Sequence, residues 1–215
     1  MCGICGIIST APGSESLGNL QAAVERMCER LSHRGPDDEG LEVLSARKGQ
    51  DAGPRVVLGH RRLGIIDLGG GHQPLRNENG DIWTVYNGEI YNFPDLRRRL
   101  NLRGHTFRTR SDTECLVHLY EERGAELVEE LRGMFAFALW DRGRSQLTLA
   151  RDHLGQKPLF YHHDPERGLF AFASELKAIL EVPGFRSKVS PQALGDFLTF
   201  QYVPHPRCIL RGVHK

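Results

Sequence analysis

The chain has 215 residues, of which 40% are hydrophobic, and its 28 basic and 27 acidic residues leave a formal charge of +1 at pH 7. This length suits one large or two small domains with a sizeable core, and the balanced charge excludes a global field that would recruit nucleic acid or an anionic membrane. No apolar run approaches the roughly 18 residues of a membrane span, and the N-terminus lacks the pattern of a signal peptide. We therefore expect a cytoplasmic protein without nucleic-acid or membrane partners.

The N-terminal segment predicts a strand, a helix and a turn. Residues 3–8 are apolar and partly β-branched, which is typical of a short buried strand. After this strand, apolar residues recur at steps of three and four and predict an amphipathic helix whose inner face is Leu17, Leu20, Val24, Met27 and Leu31. The glycine and proline of Arg34-Gly35-Pro36-Asp37 then predict a turn that ends this pattern.

The next part of the chain predicts strands and then two helices. Pro94 opens a short helix that runs to about Arg103, and Ser111 or Asp112 caps a longer helix with Cys115, Leu116, Leu119 and Tyr120 facing inward. The strands that precede these helices are separated by glycine-rich loops and are predicted at 41–46, 55–59, 63–67 and 82–87.

The rest of the chain is rich in predicted strands. Every residue from Met134 to Trp140 is apolar, which suits a strand covered on both faces. Short spacings favour hairpins, and hence a mainly antiparallel α+β domain rather than alternating βαβ units. Residues 201–215 show no periodicity and are expected to leave the domain. The remaining elements are strands at 146–150, 158–161 and 169–173 and helices near 174–180 and 191–198.

The five cysteines are odd in number and scattered, which argues against a disulfide framework. Cys2 and Cys5 have the spacing of a redox or metal pair, but the chain has no second pair for a structural zinc site. If Met1 is removed, Cys2 carries both a thiol nucleophile and an α-amine that can act as its base. Taken alone, Cys2 is also explained as a small buried residue at the start of a strand.

Three further groups of residues suit the binding of an amide substrate. The Asn87 side-chain amide and the Gly88 backbone N–H can donate to a developing oxyanion, although Asn-Gly is also the commonest hairpin turn. Arg62 can clamp a carboxylate, and Glu89 and Asp112 can hold an ammonium, although each is also explained as a surface ion pair. Together these groups describe glutamine as the substrate.

Phosphate-binding motifs are missing from the sequence. The glycine run before His72 lacks the lysine and hydroxyl of a phosphate loop, and no G-x-G-x-x-G occurs. The sequence therefore predicts no nucleotide site.

The order of these motifs resembles the N-terminal glutaminase domain of glutamine-hydrolysing asparagine synthetases, which are class II glutamine amidotransferases and N-terminal-nucleophile hydrolases. Pro36 and Asp37 follow Arg-Gly here, and this pair points to the asparagine synthetase branch rather than to its sister families. The similarity runs through residues 33–37, 58–63, 86–92, 111–114, 133–141, 151–161 and 173–179.

The resemblance implies a role for each matching residue. Cys2 would attack the glutamine side-chain amide, and Asn87 and Gly88 would form the oxyanion hole. Arg62 would bind the α-carboxylate, and Glu89 and Asp112 the α-amine. The backbone of Leu63, Ile65 and Ile66 would line the pocket, whereas Met134 and residues 151–161 resemble the stretch through which relatives pass ammonia. Gly64 stands where family members often carry serine, which could loosen the loop that holds Arg62.

The resemblance also implies the fold, the domains and the partners. We expect a four-layer αββα sandwich of two mainly antiparallel sheets over residues 2–198, with 199–215 as a linker toward a synthetase domain. No metal or cofactor is expected in this chain, because ATP and Mg²⁺ would bind the synthetase domain, in cis or in trans. A homodimer is left open.

Two alternatives to an asparagine synthetase glutaminase remain at this point. One is a catalytically silent docking or scaffold domain, which retention of Met1 would favour. The other is a glutaminase subunit that serves an acceptor other than aspartate.

Overall fold

The computed structural model describes residues 1–11, 15–44, 53–64, 67 and 69–215. The strands within these ranges are β1 (Gly3–Ser9), β2 (Asp38–Leu44), β3 (Arg55–Arg62), β4 (Leu75–Arg76), β5 (Ile82–Ile90), β6 (Gly133–Asp141), β7 (Gln146–Arg151), β8 (Phe160–Asp164), β9 (Leu169–Ala173) and β10 (Val213–His214). The helices are α1 (Leu17–Arg30), α2 (Phe93–Leu102), α3 (Glu114–Arg123), α4 (Leu176–Ile179) and α5 (Pro191–Phe200), with 3₁₀ turns at Ser32–Arg34 and Gly124–Glu130.

The strands form two antiparallel sheets. One has six strands in the order β10-β8-β9-β1-β3-β2, and the other has four in the order β4-β5-β6-β7. Strands β1 and β3 pair with Gly3 opposite Arg61, so the start of β1 lies beside the end of β3. Strands β5 and β6 pair with Asn87 opposite Ala136 and Gly88 opposite Phe135.

The two sheets face each other across a hydrophobic core. Alternate residues of β1, Ile4 and Ile8, pack there with Val85 of β5 and Ala138 of β6. Successive side chains of a strand point to opposite faces, so Cys5 and Ile7 of β1 pack on the other side of the sheet. Every residue of β1 is buried, because both faces of this strand are covered.

Helices cover the outer faces of both sheets. Helix α1 packs Leu20, Val24 and Met27 against the six-stranded sheet, and Ile179 of α4 joins this cluster. The core outside the four-stranded sheet contains Leu96 and Leu100 of α2 and, from α3, Leu116 and Leu119. The layers are therefore helices, sheet, sheet and helices, which confirms the predicted α+β class and αββα sandwich.

Most predicted elements are present, with local differences. Strand β5 continues through Asn87-Gly88 to Ile90, so this pair is not a hairpin turn. The predicted strand at 63–67 is wrong for its described residues, because β3 carries the pairing and ends at Arg62. Helix α3 begins after Thr113, so neither Ser111 nor Asp112 caps it.

Residues 201–215, which were expected to leave the domain, pack back onto it. Strand β10 pairs with β8, and Leu210 forms an isolated bridge with Val189. Cys208 and Val213 are buried in the cluster around α1. Apolar side chains anchor this segment without any sequence periodicity; that it leads toward a synthetase domain stays a prediction.

Two predictions from composition can be compared with the described residues. All five cysteines are free, as their number and scatter predicted. No helix in the described part of the chain is long and apolar enough to cross a membrane.

Candidate active site

The Cys2 thiol lies where the start of β1 meets the end of β3. The Leu63 backbone N–H donates to Cys2 Sγ at 3.4 Å, and Sγ lies 3.7 Å from the Leu63 carbonyl oxygen. On the other side, Arg34 Nε donates to the Cys2 carbonyl oxygen at 2.9 Å. Arg34 is itself held by Glu175, to which its Nη1 donates at 2.8 Å. Residue 2 is therefore fixed by contacts from two separate segments, and a third, through Glu175, holds Arg34 in place.

The thiol borders a cavity of ≈ 280 Å³ between the two sheets. This volume suits a ligand of amino-acid size, at the small end of the usual range for binding pockets. Ile65 and Ile66, which were also predicted to line it, lie outside the described residues. The other predicted site residues all line it, namely Cys2, Arg62, Leu63, Asn87, Gly88, Glu89 and Asp112.

Strand β5 presents an unpaired amide donor to this cavity. Asn87 is 1% exposed, and its Nδ2 is buried without a hydrogen-bond partner in the described structure. A buried donor left in this state costs about 1–3 kcal/mol. The cavity is the open space next to this side chain, so a ligand oxygen placed there would satisfy the donor.

Gly88 is required by the close approach of β5 and β6. A Cβ at this position would overlap the Met134 carbonyl oxygen and lie 2.8 Å from Phe135 Cα. Because both atoms belong to backbone, neither can move aside cheaply. The residue after Asn87 therefore has to be glycine for the strand pair to keep this spacing.

The Arg62 guanidinium is held in place at the end of β3. Its Nη2 donates to the Asp67 carbonyl oxygen at 2.6 Å. A Cβ at Gly71 would overlap Nη2 and lie 3.0 Å from Cζ, so the glycine run leaves room for this side chain. A planar guanidinium fixed in this way suits bidentate binding of a carboxylate.

Asp112 faces the cavity from the segment that precedes α3. Its Oδ2 accepts from the Tyr86 hydroxyl at 3.0 Å and from the Ile90 N–H at 2.9 Å. Burial raises the pKa of the Asp112 carboxyl, and these hydrogen bonds oppose the shift. An ammonium in the cavity would stabilise the charged form further. Glu89 is half-buried and contributes a second carboxyl to the same cavity.

The environment of Cys2 disfavours the thiolate. Burial raises the pKa of the thiol, while the Leu63 N–H, the positive N-terminus, Arg62 and Arg34 act in the opposite direction. The net shift is upward, so a thiolate needs a nearby base. In the structure, the α-amine belongs to Met1, which also lines the cavity.

Sequence reasoning missed several lining residues, among them Gln73, and gave two others another role. Gln73 links β5 to the start of α3, because its Oε1 accepts from the Tyr86 N–H at 2.7 Å and its Nε2 donates to Thr113 Oγ1 at 3.3 Å. Lys157 is buried and lines the cavity, as does Met134; both belong to the stretches that were assigned to the ammonia exit. The only sequence signal for Gln73 was the glycine run just before it.

The fold is that of the N-terminal-nucleophile hydrolases. Two antiparallel sheets face each other, Cys2 lies just before the first strand of one sheet, and the buried Asn87 amide lies on the other. A solved glutamine phosphoribosylpyrophosphate amidotransferase from B. subtilis shares this fold. It superposes with a TM-score of 0.64 at 23% identity, over 88% of this chain and 45% of that one.

The chain belongs to the glutamine amidotransferase domain family, whose model matches residues 1–215. It is 42% identical to asparagine synthetase [glutamine-hydrolyzing] 3 of Bacillus subtilis, over 90% of this chain and 30% of that protein. It is 40% identical to a putative asparagine synthetase [glutamine-hydrolyzing] of Mycobacterium bovis, over 100% of this chain and 34% of that protein. Asparagine synthetase [glutamine-hydrolyzing] 3 of Arabidopsis thaliana is 41% identical, over 83% and 28% respectively.

The chain is thus homologous to the glutaminase part of these synthetases, and it spans about a third of their length. The family resemblance stated from the sequence is confirmed.

Proposed function

We propose that this domain hydrolyses the side-chain amide of L-glutamine to L-glutamate and ammonia, with Cys2 as its nucleophile. The observation that carries the proposal is the unpaired Asn87 amide, buried on the wall of the cavity that the Cys2 thiol borders. A carbonyl oxygen placed there would gain a hydrogen bond from a donor that has no other partner among the described residues.

Removal of Met1 starts the mechanism, because it places the α-amine on Cys2 itself. The amine takes the thiol proton, and the thiolate attacks the amide carbon. The proton then passes to the departing nitrogen, so ammonia leaves and a γ-glutamyl thioester remains. Water adds to the thioester and regenerates the thiol as glutamate leaves.

The negative oxygen of each tetrahedral intermediate would be bound by Asn87 Nδ2 and the Gly88 N–H. These donors are fixed by the β5–β6 pairing before substrate arrives, so little reorganisation is needed in the transition state. One such donor lowers the barrier by roughly 2.7–4 kcal/mol in comparable enzymes.

The other cavity residues would select glutamine through its α-carbon groups. Arg62 would bind the carboxylate, and Asp112 with Glu89 would bind the ammonium. The backbone of Leu63, together with Ile65 and Ile66, would line the pocket around the side chain. Recognition of both charges accounts for the guanidinium and the two carboxyls on the wall of the cavity.

Ammonia from this domain would serve a synthetase domain in cis or in trans. The relatives support aspartate as the acceptor, because their printed names are those of asparagine synthetases. ATP and Mg²⁺ would then bind that synthetase domain. A partner that amidates another acceptor is the second candidate, and capture of a synthetase partner followed by an acceptor screen distinguishes the two.

Measurement of glutamate release by the purified chain tests the proposal, together with its intact mass. We expect loss of Met1 and steady glutaminase activity, which Cys2→Ala abolishes. Cys208→Ala is the matched control and should leave turnover unchanged, because that thiol is buried in the cluster around α1 and does not line the cavity. Normal turnover in Cys2→Ala would refute Cys2 as the nucleophile. Retained Met1 with no turnover would favour the alternative of a catalytically silent docking domain.

A further inference from the structure

A second group of reactive side chains lies outside the glutamine site, where α3 meets two loops. Glu78 lies in the turn between β4 and β5, and His105 lies in the segment between α2 and α3. His118 lies within α3 and is 1% exposed. One donor atom of each residue lies within 4.8 Å of the others.

A fourth donor, Glu121, is one turn further along α3. Its Oε2 lies 3.1 Å from His118 Nδ1 and 3.4 Å from His105 Nδ1. Glu78 Oε2 lies 3.7 Å from His118 Nδ1. Four ligands placed tetrahedrally at zinc bond lengths of 2.0–2.1 Å are about 3.3 Å apart, and three of the six donor separations, at 3.1, 3.4 and 3.7 Å, are close to this value.

The protein orients both carboxylates toward the imidazoles. Glu121 Oε1 accepts from Asn77 Nδ2 at 2.8 Å, and Glu78 Oε1 accepts from the Thr106 N–H at 3.3 Å. In each carboxylate one oxygen is therefore used by the protein, and Oε2 faces the histidines. Second-shell hydrogen bonds of this kind orient the ligands in metal sites.

The outer nitrogens of both histidines also face carboxylates. His105 Nε2 lies 3.4 Å from Glu122 Oε1, and His118 Nε2 lies 3.9 Å from Glu114 Oε1. His118 Nε2 is buried and makes no hydrogen bond in the described structure, so this ring's Nδ1 is the atom directed at the other donors. In metal sites the other ring nitrogen of a histidine commonly donates to a carboxylate, and Glu122 is positioned for this beside His105.

The charges around the cluster favour a cation. Four glutamates surround the two histidines, and the basic groups beside them are two arginines that are already engaged. Arg103 pairs with Glu122, and Arg108 Nη2 donates to the Glu78 carbonyl oxygen at 3.4 Å. The Phe107 ring packs edge-on against His118 with centroids 4.7 Å apart and covers one side of the cluster.

We propose that Glu78, His105, His118 and Glu121 form a structural binding site for a borderline divalent cation, with Zn²⁺ the best match. Imidazole nitrogens combined with carboxylate oxygens are a donor set that zinc uses, whereas Ca²⁺ and Mg²⁺ prefer oxygen alone. The ion would tie the β4–β5 turn and the segment after α2 to α3. That segment leads directly into Asp112, so the bound ion would stabilise one wall of the glutamine cavity.

Calorimetric titration of the chelator-treated chain with Zn²⁺ alone tests this site. The titration is made in Cys2→Ala, because a cysteine next to a free amine can itself chelate zinc. We expect one ion per chain, with an affinity that falls by at least roughly 10–100-fold, the loss typical of a removed supporting group, in His105→Gln and in Glu78→Gln. The matched control is His163→Gln, an exposed histidine outside the cluster, which should leave the affinity unchanged.

Titration with Co²⁺ alone gives a second readout through its visible absorption, which is strong in four-coordinate sites. We expect this absorption in Cys2→Ala and its loss when His105→Gln is added to that variant. Equal affinity in the parent and in both cluster variants, or a loss of equal size in His163→Gln, would overturn the proposal. Glu78 and His105 are partly exposed, so their variants are expected to fold, and thermal melts without metal check this point.

Discussion

Asn87→Ala separates the role of this amide in catalysis from its role in stability. The substitution removes a buried donor that has no hydrogen-bond partner in the described structure. Loss of one oxyanion donor reduces kcat by roughly 10²–10³-fold, which corresponds to about 2.7–4 kcal/mol. The KM for glutamine should change little, because the donor acts on charge that develops only in the transition state.

The stability effect should have the opposite sign. In the folded protein without substrate, the unpaired amide carries a desolvation cost of about 1–3 kcal/mol, which alanine removes. Lost packing offsets part of this gain, so the free energy of unfolding should stay level or rise. Steady-state glutaminase assays and urea denaturation of the same samples measure both quantities. A less than tenfold fall in kcat, or a fall that accompanies unfolding, would refute the oxyanion role.

Three further predictions concern recognition, packing and pH. Arg62→Lys should lower kcat/KM by roughly 10–100-fold, mainly through KM, because one charge-assisted hydrogen bond of about 1.5–3 kcal/mol is lost with the fork geometry; unchanged KM would contradict carboxylate binding. Gly88→Ala should destabilise the fold by about 1–3 kcal/mol and abolish turnover, because the added Cβ meets the backbone of β6. Gly18→Ala is its control: nothing lies within 4 Å of the added Cβ, and in the same denaturation assay it should stabilise helix α1 by roughly 0.5–1 kcal/mol. Burial lowers the pKa of His60 to about 4, so as the pH drops from about 6.5 to 4 the unfolded chain protonates this imidazole before the folded chain does, and the free energy of unfolding falls. His60→Gln should remove up to about 3 kcal/mol of that fall. An unchanged pH profile of stability in the variant would contradict this prediction.

The limits of sequence reasoning are clearest in β5. The alternation of residues 82–87 predicted a strand, but its end was placed at Asn87, where Asn-Gly is typical of a hairpin turn. In the structure the strand runs to Ile90, because β6 pairs with it through Gly133. A partner 40 or more residues away therefore overrode the local turn preference.

The segment after 198 shows a similar limit. Its lack of periodicity suggested a linker, yet Cys208 and Val213 pack into the core around α1. Four apolar residues, Cys208, Ile209, Leu210 and Val213, anchor this segment on the domain, and no periodic pattern records their contacts. The same reasoning applies to Gln73, whose position in the cavity depends on its contacts with Tyr86 and Thr113.

The sequence by itself determined the class of this protein and predicted its candidate site residues. Its apolar periodicities specified most helices and strands, because burial of one face of an element depends on local spacing. Its ordered motifs named the cysteine, the amide, the guanidinium and the carboxyls. The tertiary structure alone decided that these groups share one cavity, that the Asn87 amide is unpaired, and that Glu78 meets His105 and His118. Such arrangements depend on non-local pairing of strands and packing of helices, which fix distances between residues far apart in the chain.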